Sequence, residues 1–277
     1  MSSLDRMLRL LDLFAAEQPR WTVEQAIART GYSRSTIYRY FKSLSAAGLV
    51  ASGGDGAYGL GPAVIGLDRL CRLNDPLLTR AQPHLAELAR ALGLVAVVES
   101  FRDQVVVTHV EVGPEASVPA DLQRGLSAGL LDSAAARVLL AHENARRLRR
   151  FHDVAGAAIG KAGLGANWTA FRQALRVQRR VGFAVHDGAG ALGALRVAVP
   201  VFAAGDRAIA ALAAPATVRD EARVGEHLLR GARRISALMA DQAPPAQATM
   251  ASEATWRPSA SRANGAVAMT EDRLSVA

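Results

Sequence analysis

Arg34, Arg39 and Lys42 stand among Ser33, Ser35, Thr36 and Tyr38 in the segment TGYSRSTIYRYFKSLSAAGLV, residues 30–50. These residue types have one chemistry in common: cationic heads bind phosphate, guanidinium also pairs with guanine edges, and hydroxyls bond to either. Read as a duplex-binding surface, Ser33, Ser35 and Thr36 would seat phosphates with the help of a helix N-terminus. Arg34, Tyr38 and Arg39 would reach base edges, and Lys42 would touch the backbone. Two other constellations compete. Gly125-Leu126-Ser127-Ala128-Gly129 fits a hydrolase nucleophile elbow, with Asp187 and His227 following in the right chain order. The elbow needs a buried strand before its serine, and residues 120–124 are too polar to supply one. Residues 188–193, GAGALG, match a dinucleotide fingerprint, but a strand follows where the pyrophosphate would need a helix N-terminus. His142-Glu143 opens a zinc-protease motif whose second histidine is replaced by Arg146, so no metal or other cofactor is expected.

A basic surface must be held by a buried one. Ile37, Phe41 and Leu44 repeat at helical spacing and predict the inward face of a helix capped by Ser33, which turns the cationic residues outward. Before it, Thr22 and Gln25 fit a capping box for a short helix with Val23, Ala26 and Ile27 inward, closed at Thr30-Gly31. Leu4, Met7, Leu8, Leu11 and Phe14 predict a first amphipathic helix ending near residues 17–19. After Gly48, LVA and a Gly53-Gly54-Asp55-Gly56 turn returning through Tyr58 and Leu60 predict a hairpin. Cap, turn, basic helix and hairpin in this order describe a winged helix-turn-helix. From Arg20 to Val50 the basic residues are Arg20, Arg29, Arg34, Arg39 and Lys42, against Glu24 alone on the acidic side.

The whole chain agrees with an anionic partner. Its 277 residues carry 33 Lys and Arg against 25 Asp and Glu, a formal charge of +8, and half of them are apolar, enough for two cores. A single cysteine, Cys71, excludes an internal disulfide framework and reads as a small buried apolar residue of a cytoplasmic protein. Charges at Asp5, Arg6 and Arg9 break the first apolar run, so no leader or membrane span is expected.

The run from Ser3 to about Leu67 resembles the N-terminal winged helix of the IclR-type bacterial transcriptional regulators. Its most specific parts are Ser35-Thr36-x-x-Arg39 and Tyr58-Gly59-Leu60-Gly61. The wing departs from the pattern in carrying Asp55 and no Lys or Arg. The resemblance implies an α+β protein with a linker helix that also serves dimerisation and a GAF-like effector-binding domain, an antiparallel sheet with helices. It implies further a cytoplasmic homodimer or homotetramer, not an enzyme, that reads a pseudo-palindromic operator on double-stranded DNA under control of a small-molecule effector, with no membrane partner. By that likeness residues 1–61 are the DNA-binding domain, 62–74 the linker helix, with Val64, Ile65, Leu67, Leu70 and Cys71 as its apolar positions, and 75–242 the effector domain. Residues 243–277, rich in Ala, Pro, Ser and Thr, are expected to be a disordered tail.

Read from the residues, Leu77 to Leu92 is helical, LVAVVES and QVVVTHVEV form a hairpin about Phe101-Arg102-Asp103, and Ala134 to Ala141 is a helix. Trp168 to Val181 is a basic helix, GFAVHD a strand, and residues 194–214 a second hairpin turning at Ala204-Gly205-Asp206. By resemblance the effector pocket falls on residues 125–137 and 182–201, which puts Gly125, Leu131, Ser133, Asp187 and Arg196 at the ligand. Leu131 stands where His is usual in the family, Ala136 for Gly, Arg137 for Lys, Gly188 and Ala189 for acidic residues, and Arg196 for Cys. Arg196 is either a bidentate carboxylate holder, suiting an organic or aromatic acid, or an edge-strand arginine in solvent. From Arg137 to Arg180 there are ten basic and two acidic residues, read as a solvated face or as a second phosphate-contacting patch. Two readings stay open beside the regulator: a serine hydrolase with a fused winged helix, and a ligand-free DNA-binding oligomer.

Overall fold

The computed structural model describes residues 2–101, 104–187, 194–204 and 208–240. The expected turns at Arg102-Asp103 and Gly205-Asp206, the Gly188–Gly193 loop and the expected tail lie outside them. The chain divides into two compact units, residues 1–79 and 80 onward.

The first unit follows the expected order with one correction. Helix α1 (Ser3–Leu8) gives way to a 3₁₀ turn at Arg9–Leu13, so the predicted single helix is broken. Tightening to three residues per turn rotates the apolar stripe. Leu10 becomes the buried anchor, while Leu4 and Leu8 are left exposed. Helix α2 (Val23–Thr30) carries the capping box of Thr22 and Gln25 and ends on Gly31 at φ 72°, a conformation that favours glycine. Helix α3 (Arg34–Ala46) buries Ile37, Phe41 and Leu44 as predicted, and Tyr40 as well. Strands β1 (Val50–Ser52) and β2 (Tyr58–Leu60) pair antiparallel as the wing. Trp21 extends that ribbon, exchanging backbone bonds with Tyr58 at 2.9 and 2.8 Å, and Phe41 stacks on Tyr58 at 4.3 Å. The wing is thereby fastened to α3 through the core of the unit.

Helix α4 (Pro62–Asn74) runs where the linker helix is expected, with Ile65, Leu67, Leu70 and Leu73 all more than half exposed. Cys71 is exposed too, contrary to its reading as a buried residue, because it lies on a helix with no buried position. Helix α5 (Pro76–Leu92) follows.

The second unit is built on one antiparallel sheet of β3 (Leu94–Phe101), β4 (Gln104–Val112), β5 (Ser127–Gly129), β6 (Ala184–Asp187), β7 (Ala194–Phe202) and β8 (Ala208–Thr217), in the order β5-β4-β3-β8-β7-β6. Strand β7 is buried along nearly its whole length and β8 through its middle, which is why they read as continuous apolar runs rather than alternating ones. Helices α6 (Ala134–Ala141), α7 (Ala145–Lys161) and α8 (Trp168–Val181) belong to the core on one face. Helix α9 (Glu221–Ala240) packs against β7 and β8 and against α5, where Leu88 comes so close that a Cβ on Gly231 would meet it at 2.5 Å. Strand β6 is short, so among the described residues Val199 to Phe202 of β7 have no strand beside them on that edge. Pro200 has no N–H to offer there, and the N–H of Phe202 donates to the Ser236 hydroxyl at 2.9 Å.

Candidate functional site

The basic face of α3 is built from the cap inward. Ser33 accepts the Thr36 N–H at 3.4 Å and shares hydroxyl contacts with Ser35 and Thr36, which fixes the first turn. With Ile37, Phe41 and Leu44 packed inside, Arg34, Ser35, Tyr38, Arg39 and Lys42 are exposed together and Thr36 is half-buried. All seven residues expected at a duplex are thus on or beside one accessible helix surface. Two details were not legible in the sequence. The Arg34 guanidinium reaches Glu24 of α2 at 2.7 Å, an exposed pair. Tyr40, inside the same run, is a core residue whose hydroxyl meets Ser3 Oγ at 3.0 Å while Arg39 lies over its ring at 5.7 Å. The wing acid is also accounted for: Asp55 pairs with Arg20 at 2.6 Å and accepts the Ala57 N–H. That backbone bond above all, with Arg20 adding to it, holds the carboxyl below its ordinary value.

The expected effector residues are less uniform. Gly125 is an exposed turn glycine at φ 86° whose N–H donates to Val107 on β4. Leu131 is half-buried against the core, and Ser133 caps α6 by accepting the Ala136 N–H at 3.1 Å. Asp187 is exposed at the end of β6. The solvent reading of Arg196 fails. It sits on β7 between β6 and β8, is 7 % exposed, and its Nη2 donates to Asp121 Oδ1 at 2.6 Å while Nη1 donates to its own neighbour's carbonyl, Leu195 O. Its Nε is buried without a partner. The carboxylate-holding reading is answered from within: Asp121, on a 3₁₀ turn at Ala120–Leu122, already supplies a carboxylate.

A further cation, Arg137 on α6, lies beside these residues. It is half-buried, donates to Leu131 O and Ala162 O at 3.3 Å, and feels Asp132 and Asp187. Burial draws its pKa down from the ordinary value, and the two carboxylates oppose that. Arg137, Ser133, Asp132 and Asp187 therefore share one electrostatic neighbourhood at the start of α6, while no bond among the described residues ties Gly125 to it.

Ser127 lies within the short strand β5 and is exposed, not at a strand-to-helix turn, and His227 is on α9 with Nδ1 against Arg223 O. Among the described residues no group of three or more His, Cys, Asp or Glu side chains is placed to hold a metal ion, and no helix is long and apolar enough to cross a membrane. A cleft of about 300 Å³ lies elsewhere, lined by His142, Arg179, Pro200, Phe202, Leu229 and Arg233 among others.

Residues 3–53 match the model of the IclR helix-turn-helix domain, and residues 73–237 that of the bacterial transcriptional regulator IclR C-terminal domain. No curated protein matches the chain. Among solved structures, an IclR transcriptional regulator from Alicyclobacillus acidocaldarius shares 24 % identity over 86 % of this chain and 97 % of its own, with a TM-score of 0.66. An IclR family regulator from Brucella abortus shares 20 % over 86 % and 92 %, with a TM-score of 0.70. An IclR homolog from Microbacterium hydrocarbonoxydans, in complex with 4-hydroxybenzoate, shares 21 % over 86 % and 99 %, with a TM-score of 0.68. At such identities the likeness is one of fold.

Proposed function

Because the chain belongs to the IclR family of bacterial transcriptional regulators, we propose that it reads a duplex operator with α3 and that a small organic or aromatic acid in its C-terminal domain sets the strength of that reading. The observation that carries the DNA half is the single exposed face of Arg34, Ser35, Tyr38, Arg39 and Lys42 set against the buried Ile37, Phe41 and Leu44. A helix so divided presents its first turns to a major groove, with Ser33, Ser35 and Thr36 at phosphates, Arg34, Tyr38 and Arg39 at base edges and Lys42 at the backbone. The exposed apolar stripe of α4 supports self-association as a homodimer or homotetramer, hence repeated half-sites in a pseudo-palindromic operator.

For the effector, Arg196 is engaged by Asp121, so Arg137 and the Ser133-capped start of α6 are the better receptor for a carboxylate. The 4-hydroxybenzoate bound by the Microbacterium homolog supports an acid of that class. A second reading, a ligand-free DNA-binding oligomer, draws on the same Asp121–Arg196 pair, which fills with protein a place where a ligand's charge would sit.

The test is binding of the purified chain to its own upstream intergenic DNA and to random duplex over a salt series, with and without 4-hydroxybenzoate. Sequence-preferring binding that the acid shifts upholds the proposal. Equal, steeply salt-dependent binding to both duplexes removes the operator reading. Specific binding that neither 4-hydroxybenzoate nor a panel of organic acids alters, with no rise in melting temperature, leaves the ligand-free oligomer.

A further inference from the structure

The open stretch of the β7 edge is the floor of the 300 Å³ cleft, and its walls come from different elements. Arg179 stands at the last turn of α8 and Arg233 on α9, with His142 at the end of α6; Pro200, Phe202 and Leu229 supply an apolar surface between them. Among the described residues no carboxylate lines the cleft. Arg179 is held in place, since its Nε donates to Ala141 O and its Nη2 to Glu143 O at 3.4 Å, and its Nη1 makes no bond among the described residues. Arg233 has no hydrogen bond or ion pair among the described residues, whereas its neighbour Arg234 pairs with Glu87. The His142 ring is packed edge-on to Phe202 at 5.1 Å with Nδ1 against Val138 O, which fixes the wall beside the floor.

We propose that this cleft is a second small-molecule site, taking a compact organic anion whose carboxylate lies between Arg179 and Arg233 and whose apolar body rests on Pro200, Phe202 and Leu229. The chemistry is that of a small ligand pocket: an apolar surface fixes the body and a few cationic donors fix the orientation. The volume is at the lower end for such pockets, which selects a ligand of about one ring. The cleft shares no lining residue with Gly125, Leu131, Ser133, Asp187, Arg196 or Arg137, so this site stands or falls apart from the effector reading above.

The experiment is calorimetric titration of the full chain with sodium benzoate, beside Arg233→Gln and Arg137→Gln. Among the described residues Arg233 makes no hydrogen bond or ion pair, and circular dichroism and melting check that each variant is folded. Because the effector reading lets benzoate bind at Arg137 as well, the cleft is read in the Arg137→Gln background: saturable binding is expected to remain there, and adding Arg233→Gln to it is expected to weaken that binding about tenfold or more. A diazirine-bearing benzoate, photolysed on the wild-type chain, is expected to label peptides spanning 179–183 or 229–236, with labelling suppressed by excess benzoate. No heat from Arg137→Gln up to about 10 mM benzoate, or binding in that variant that the added Arg233→Gln leaves unchanged, overturns the proposal, as does suppressible label confined to other peptides. Loss in Arg137→Gln alone would at the same time support the effector reading at α6.

Discussion

Arginine does opposite work in the two halves of the molecule. On α3, Arg34 and Arg39 are exposed beside Lys42, and the ion pair of Arg34 with Glu24 is exposed on both sides and so adds little to the fold. On β7, Arg196 is buried in the sheet with its charge answered by Asp121. An exposed guanidinium is kept available for a partner, while a buried one is already committed, so the neighbours and not the residue type decide which arginine can recognise anything.

The sharpest way to break this contrast is to remove a partner. Asp121→Ala leaves Arg196 buried and unanswered and should destabilise the second unit by about 3 kcal/mol, read by urea unfolding; the double change Asp121→Leu with Arg196→Met should recover most of it. A small loss in the single variant would mean that Arg196 swings to solvent and that the pair is not structural. Arg39→Ala should do the reverse, leaving unfolding unchanged and weakening operator binding by about 2 kcal/mol, with less effect on random duplex. An equal loss on both DNAs would make Arg39 a phosphate contact only.

Arg34 tests the middle ground. Glu24→Gln frees it from an exposed pair, which should change stability by less than about 0.5 kcal/mol and strengthen DNA binding where the arginine is released. Weaker binding would show that Glu24 positions Arg34 rather than competing for it. The smallest effect belongs to the wing. Asp55 titrates below its ordinary value of 3.8 in the folded chain, so its contribution is whole above that value and is lost as the pH falls through the lower, folded one. Amide exchange at Ala57 should stay protected down to the ordinary aspartate range and rise only below it; a rise beginning well above it would show that the carboxylate is not what holds the turn.

What was legible in the sequence was local. Thr22 with Gln25, Gly31 and Ser33 announce helix ends because each bonds or bends within three residues of itself, and Ile37, Phe41 and Leu44 announce a face by spacing. The partner of Arg196 lies 75 residues away, and no pattern links a turn at Asp121 to a strand at 196. Helix α9 was hidden for another reason. Val224, Leu228, Ala232, Ile235 and Met239 do repeat at helical spacing, but Gly225 and Gly231 dilute the helical signal. Those glycines sit where Phe183 and Leu88 press in, so the close packing that recommends them in the fold disguises the helix in the sequence. The 3₁₀ turn after α1 misled in the same way, since a change of pitch moves the apolar stripe from Leu8 to Leu10 without altering composition.

The unflanked end of β7 carries a consequence for how the protein survives at high concentration. A valine-rich strand with one side open is the kind of template on which another chain adds a strand and aggregates grow. Here Pro200 lacks the donor and Ser236 occupies the one at Phe202, so an incoming strand finds little to pair with. Among the described residues the sheet thus stops short of a full edge strand beside the cleft while offering another chain little to pair with.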